Sequence, residues 1–200
     1  MRERLSLTLM HALRELPANP FLMVYHVPIE LTRAVVEWYA PSKASVPPAL
    51  AADILRIPGV QGVQFFRYEL WVRRARDATW HTIMPAVEAV LRDHMGMHEI
   101  REFQPDQRYL TAACATLTVT TPLVFEGVEA AQTHPLASAL FALDGVAEVL
   151  LSPGRLRVRK GAAFQWVGLQ PNIQTVLEQF KGTDHSPPDA SKATLRGHYR

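Results

Sequence analysis

The 200 residues hold a single cysteine, Cys114. One thiol makes neither an internal disulfide nor a four-thiolate metal site, so the chain's own thiols cannot ligate a metal cluster unless several chains each contribute theirs. Long hydrophobic runs are missing too. No stretch of about 18 uninterrupted apolar residues occurs, which argues against a membrane-spanning helix and leaves no membrane partner expected. The opening MRERLSLTLMHALRELP is interrupted at Arg14 and Glu15 and lacks a small-residue cleavage site. It reads against a secretory signal, so a cytoplasmic protein is expected. Charge of one sign is scarce: 21 basic and 19 acidic residues leave a formal net charge of +2, too little to argue for nucleic acid on its own. There is no glycine-rich phosphate loop and no RNA-binding signature, and no Ser, His and Asp set follows from their order alone. The chain is therefore expected not to be an enzyme and to carry no cofactor. With 48% hydrophobic and 20% charged residues, the composition is that of a globular protein.

What is present is an internal repeat at a constant offset of 86 residues. The segment starting at Leu50 aligns without a gap on the segment starting at Leu136. Leu50, Ala51, Gly59, Val60, Val63, Leu70, Val72, Arg73, Trp80, Pro85, Val90 and Leu91 meet identical residues, which is twelve identities over 42 positions. Two copies of one small domain follow from that spacing. The division expected is 1–94, then a linker at 95–106, a second domain at 107–180 and a disordered tail at 181–200, where Ser186-Pro187-Pro188 stands without apolar periodicity.

Each copy reads as strand, strand, helix, strand, strand, helix. Phe21–Ile29 and Thr32–Tyr39 are strand candidates in the first copy, and Leu110–Thr120 and Leu123–Phe125 in the second. Ala49–Ile57 follows two prolines and presents Leu50, Ile54 and Leu55 on one helical face. Pro58-Gly59 ends that helix. Val60–Phe66 and Glu69–Arg74 form a hairpin turning at Arg67-Tyr68, matched in the second copy by a Ser152-Pro153-Gly154 turn. The last helices are expected to begin at Pro85 and Pro171, since a proline inside a helix costs about 3 kcal/mol. Trp80 and Trp166 would then pack in the preceding turns. Met1–Leu16 carries leucines at helical spacing and predicts an extra helix. The fold class expected is α+β: two tandem repeats of a small, mainly antiparallel sheet with two helices on one face.

The second copy resembles a known family. His134-Pro135-Leu136-Ala137, Leu140-Phe141, Asp144-Gly145-Val146, Val149, Val158, Lys160, Trp166, Leu169-Gln170-Pro171 and Ile173 fall in order on the pattern of the N-terminal domain of Nfu-type (NifU-like) iron–sulfur assembly proteins. Leu16-Pro17-Ala18-Asn19-Pro20 is similar to that domain's opening. The resemblance implies an accessory, partner-docking role in iron–sulfur cluster assembly, with assembly or client proteins as partners. The family's second domain carries a CxxC pair that holds a cluster, and no such pair occurs in this sequence. Cluster carriage is therefore not implied.

Candidate site residues are few. His94 and His98 stand at i, i+4, a spacing that brings two imidazoles to one metal on an intact helix. Gly96 between them argues that the helix ends first, so no metal site is expected. Arg155, Arg157, Arg159 and Lys160, with Arg73 and Trp71 in the first copy, make basic strand faces. Solvation explains such faces; the functional alternative is docking of an acidic protein or, as the lesser expectation, a nucleic acid stacked on Trp71. Phe65 and Trp71 are the outward apolar residues expected where the two copies meet. Cys114, in an apolar β-prone run, reads as a small buried hydrophobe.

Overall fold

The computed structural model describes residues 10–42, 46–104, 106–115 and 117–180. The tail at 181–200 and most of the expected N-terminal helix lie outside them.

The first sheet has six strands in the order β3-β4-β5-β2-β1-β6. They are β1 (His11–Glu15), β2 (Leu22–His26), β3 (Glu37–Tyr39), β4 (Val60–Phe66), β5 (Glu69–Arg74) and β6 (Glu99–Glu102). The second sheet runs β7-β10-β9-β8, from β7 (Tyr109–Ala113), β8 (Leu123–Phe125), β9 (Val146–Ser152) and β10 (Arg155–Lys160). Helices α1 (Ala49–Leu55) and α2 (Trp80–Met95) belong to the first half; α3 (Val128–Ala131), α4 (Pro135–Phe141) and α5 (Trp166–Gln179) belong to the second. The class is α+β.

The elements recur at the spacing of the sequence repeat. Adding 86 to the bounds of β3, α1, β4 and β5 gives the bounds of β8, α4, β9 and β10, and the starts of α2 and α5 differ by the same amount. Fine geometry recurs with them. The β4–β5 ladder shifts register beyond the pair Val60↔Arg74, and the β9–β10 ladder has its irregular pair at Val146↔Lys160. Gly59 and Gly145, each just past a helix, hold φ of 89° and 95°, a left-handed conformation that glycine adopts without penalty. Their carbonyls accept from the Ala75 and Gly161 amides at 2.7 and 2.8 Å.

The cores follow from alternation along the strands. Met23, Tyr25, Val63, Phe65, Leu70 and Val72 meet Ile54, Ile83, Val87 and Leu91 in one cluster. Val149, Leu151, Leu156 and Val158 meet Leu140, Phe141, Leu169 and Ile173 in a second. The two clusters share no residue. Phe65 is 2% exposed inside the first core, so the expectation that it faces outward at a contact between the copies is corrected.

Other elements differ from the sequence reading. Residues 11–15 form β1, not part of a helix; Ala12 is buried in the sheet. The expected linker contains β6, which pairs parallel with β1 and extends the first half to the Arg14 carbonyl, bonded by the Phe103 amide. The second strands are shorter than expected, only Glu37–Tyr39 where Thr32–Tyr39 was predicted, and β7 ends at Ala113. The last helices begin at Trp80 and Trp166 with Pro85 and Pro171 inside. Both prolines are exposed, so the carbonyls four residues earlier, deprived of a donor, can turn to water.

Candidate functional site at the seam between the halves

The β4–β5 hairpin turns at Arg67 and Tyr68, and this tip enters the second half. Arg67 is 5% exposed. Its Nη1 donates to the Val146 carbonyl and its Nη2 to the Phe141 carbonyl, both at 2.7 Å. Nε and Nη2 also donate to Glu30 at 3.0 and 2.8 Å, a fork geometry that suits guanidinium. The Phe141 carbonyl, at the end of α4, has no later helical amide to bond, so Arg67 completes it. The guanidinium also lies 5.1 Å from the Phe141 ring centroid. Tyr68 packs its ring edge-on against Phe164, 4.7 Å between centroids, and its hydroxyl accepts from the Gly145 amide at 2.9 Å. Burial pushes the Tyr68 phenol above its ordinary pKa, against the opposing pull of Gly145 and Arg67.

Beside the tip runs a band of charge. His26 on β2 is 1% exposed, with Nε2 2.7 Å from Glu15 and Nδ1 3.6 Å from Glu69. From the second half, Arg108 reaches Glu15 at 3.4 Å and Glu69 at 3.9 Å, and Arg159 reaches Glu69 at 3.5 Å and Glu148 at 3.2 Å. Burial alone would raise the Glu69 carboxyl; the His26 ring, the Trp71 indole N–H and Arg159 outweigh it and hold its pKa down at about 2. Further along, the Val128 amide at the start of α3 donates to the Arg33 carbonyl at 3.1 Å. A cleft of about 230 Å³ opens at this seam, lined by Phe66, Trp71, Glu69, Glu126, Ala147 and Arg159 among others.

The expected site residues scatter. Arg159 and Trp71 meet on the cleft wall, where the Trp71 indole donates to Glu69 at 3.0 Å. Arg155 and Arg157 are exposed on β10, and Arg157 lies over the Tyr109 ring and 3.7 Å from Glu148. Arg73 is exposed on β5, away from the cleft lining. Lys160 corrects the expectation: it is 1% exposed and its ammonium pairs with Asp106, so it offers nothing to a partner. Alternation along β10 puts it on the same inward face as Leu156 and Val158. His94 bonds Asp53 at 2.7 Å, whereas His98 lies beyond Gly96, which ends α2 at φ 63°. Among the described residues no three His, Cys, Asp or Glu side chains are placed to hold a metal ion. Cys114 is half-buried just past β7 against the second core. A resident iron–sulfur cluster needs several thiolates and does not fit this donor set. Among the described residues no helix is long and apolar enough to cross a membrane.

Arg67 and Tyr68 were read only as a turn. The signal that marks them is a contrast between the copies. Where the second hairpin has Pro153-Gly154, ordinary turn residues, the first carries an arginine and a tyrosine that the turn itself does not require.

Among solved structures, the chain is similar to protein SAV1430 from Staphylococcus aureus. The X-ray structure is 25% identical, covers 39% of this chain and 93% of its own, and gives a TM-score of 0.36. The solution NMR structure is 25% identical, with 42% and 92% covered and a TM-score of 0.34. No curated protein matches the chain. Residues 100–183, which span the second half, match the sequence model of the family described as "Scaffold protein Nfu/NifU N terminal".

Proposed function

We propose that this chain is a non-enzymatic accessory factor of iron–sulfur cluster assembly, that its two halves are tandem copies of the Nfu-type N-terminal domain, and that it works in the cytoplasm by docking assembly or client proteins. The family match over residues 100–183 carries the reading. The tandem arrangement is supported by the 86-residue spacing of the elements and by the paired irregularities at Val60 and Val146. Docking, rather than cluster carriage, is favoured by a donor set with one thiol. Clusters enter as the cargo of other proteins. The exposed guanidinium groups of Arg155, Arg157 and Arg73 are the basic features offered to an acidic partner.

The test is direct binding of the purified chain to purified cluster-assembly proteins: a scaffold, a CxxC-bearing Nfu-type domain and a cysteine desulfurase. Micromolar or tighter binding to one of them, with a changed rate of cluster transfer to an apo-acceptor, is the expected result. Failure to bind any, together with steeply salt-dependent binding to single-stranded nucleic acid, refutes the reading.

A further inference from the structure

We propose that the end of α4 in the Nfu-type half is a recognition surface for an arginine–aromatic turn of a protein partner, and that Arg67 and Tyr68 occupy it in cis as a releasable plug. The proposal rests on reading the chain as a protein-docking factor and names the surface that would do the docking.

The surface is made by the second half alone. It consists of the Phe141 and Val146 carbonyls as acceptors, the Gly145 amide as donor, and the Phe141 and Phe164 rings as walls. Two carbonyls placed to share one guanidinium select arginine over lysine, whose ammonium lacks the fork. The Gly145 amide, beside a ring set edge-on, selects an aromatic with a hydroxyl. A residue larger than glycine at 145 would bring a Cβ within 2.7 Å of Phe164, so the backbone approach that exposes this amide depends on glycine. The chemistry of the occupant is thus written by the one already bound.

Release is favoured by the polar contacts that join the halves elsewhere along the seam. The two cores share no residue, and Arg67 and Tyr68 belong to neither. The remaining contacts between halves include the Arg108 and Arg159 ion pairs to Glu15 and Glu69 and the Val128–Arg33 backbone bond. A polar interface of this kind permits relative motion of its domains, and its ion pairs weaken as salt screens them. The turn itself does not require these side chains, since the second half turns the same corner with Pro153-Gly154, although Arg67 also pairs with Glu30 in its own half.

The probe is a cyclised hairpin peptide with the sequence of residues 65–70, fluorescently labelled, titrated into the full chain at low salt and at about 0.5 M NaCl. A tethered plug acts at an effective concentration on the order of millimolar, so wild type binds the peptide poorly. The R67A/Y68A chain is expected to bind at least tenfold more tightly, with faster hydrogen exchange at the empty Gly145 amide and loss of binding when the peptide's arginine becomes alanine. Tyr68→Phe, which keeps the ring, shows the same changes to a smaller degree and serves if the double variant does not fold. Equal binding by wild type and variant overturns the proposal, as does a folded variant whose Gly145 amide stays protected or whose opened surface ignores the peptide. No assembly protein takes part, so peptide capture by a chain that binds no assembly protein and does bind single-stranded nucleic acid would refute the proposed function alone.

Discussion

Replacing Gly145 by alanine, beside the same change at Gly154, separates two costs that usually arrive together. Both glycines have positive φ, 95° and 67°. An L-residue held there costs about 1–2 kcal/mol, and alanine also stiffens the unfolded chain by a similar amount at either position. Their surroundings differ. A Cβ at Gly154 meets nothing within 4 Å, whereas at Gly145 it would stand 2.7 Å from Cδ1 and 2.8 Å from Cγ of Phe164. Phe164 also packs edge-on against Tyr68, so relief means displacing the ring at the seam. Overpacking of this sort costs about 1–3 kcal/mol. Urea denaturation of the two variants, compared at equal slope, should therefore place Gly145→Ala about 1–3 kcal/mol below Gly154→Ala. Hydrogen exchange at the residue 145 amide should quicken in the former and not in the latter. Equal midpoints would refute the steric reasoning and with it the account of Phe164 as a fixed wall.

Glu69→Gln should flatten the acid limb of stability. The Glu69 carboxyl lies at about 2 in the folded chain against an ordinary 4.5, so its contribution is full above about pH 4.5 and is lost as pH falls toward 2; that is worth on the order of 3 kcal/mol. The wild-type-minus-variant difference in unfolding free energy across that window is the measurement, and a constant difference would contradict it. Asp106→Asn should destabilise more than Lys160→Met. The first leaves a fully buried ammonium without its carboxylate, whereas the second leaves only Asp106, already 40% exposed, to turn to water; thermal melts in the reverse order would refute this. Trp166→Ala should cost about 2–3 kcal/mol, less than a fully buried tryptophan because the ring is half-buried, and its indole bond to the Gln107 carbonyl is lost with it. Trp80→Ala, which breaks the matching bond to the Pro20 carbonyl, should cost a similar amount.

The parts legible from the sequence are those where local chemistry and tertiary packing agree. Alternation of Leu156 and Val158 with arginines settles which face of β10 is buried, and Pro58-Gly59 ends α1 where a left-handed residue is required. Legibility stops where packing overrides the local signal. His11–Glu15 has leucine spacing on both sides that suits a helix, yet it lies between β2 and β6, and its backbone is bonded on both edges. Nothing within fifteen residues announces β6, because its partner is β1, nearly ninety residues away in the chain. Pro85 and Pro171 mislead for a different reason. Their penalty is real in a buried helix and small where the orphaned carbonyl faces solvent.

The seam shows a second limit, and a way past it. An alignment of the two halves is ordinarily read for its identities, which report what both copies need in order to fold: Gly59 and Gly145, Val63 and Val149, Trp80 and Trp166. Side chains peculiar to a contact between the copies are found where they differ, because a contact between unlike surfaces uses a different patch on each, although groups at identical positions, the Gly145 amide and the Val146 carbonyl, serve there too. The tip carries Arg67-Tyr68 against Pro153-Gly154, and the receiving surface carries Phe141 and Phe164 against Leu55 and Ala78. Each first-half residue at the tip is larger and more polar than its counterpart. Each second-half residue on the surface is larger and more aromatic. Those four positions meet in space, and a fifth difference, Glu69 against Arg155, reaches the same seam through Arg159.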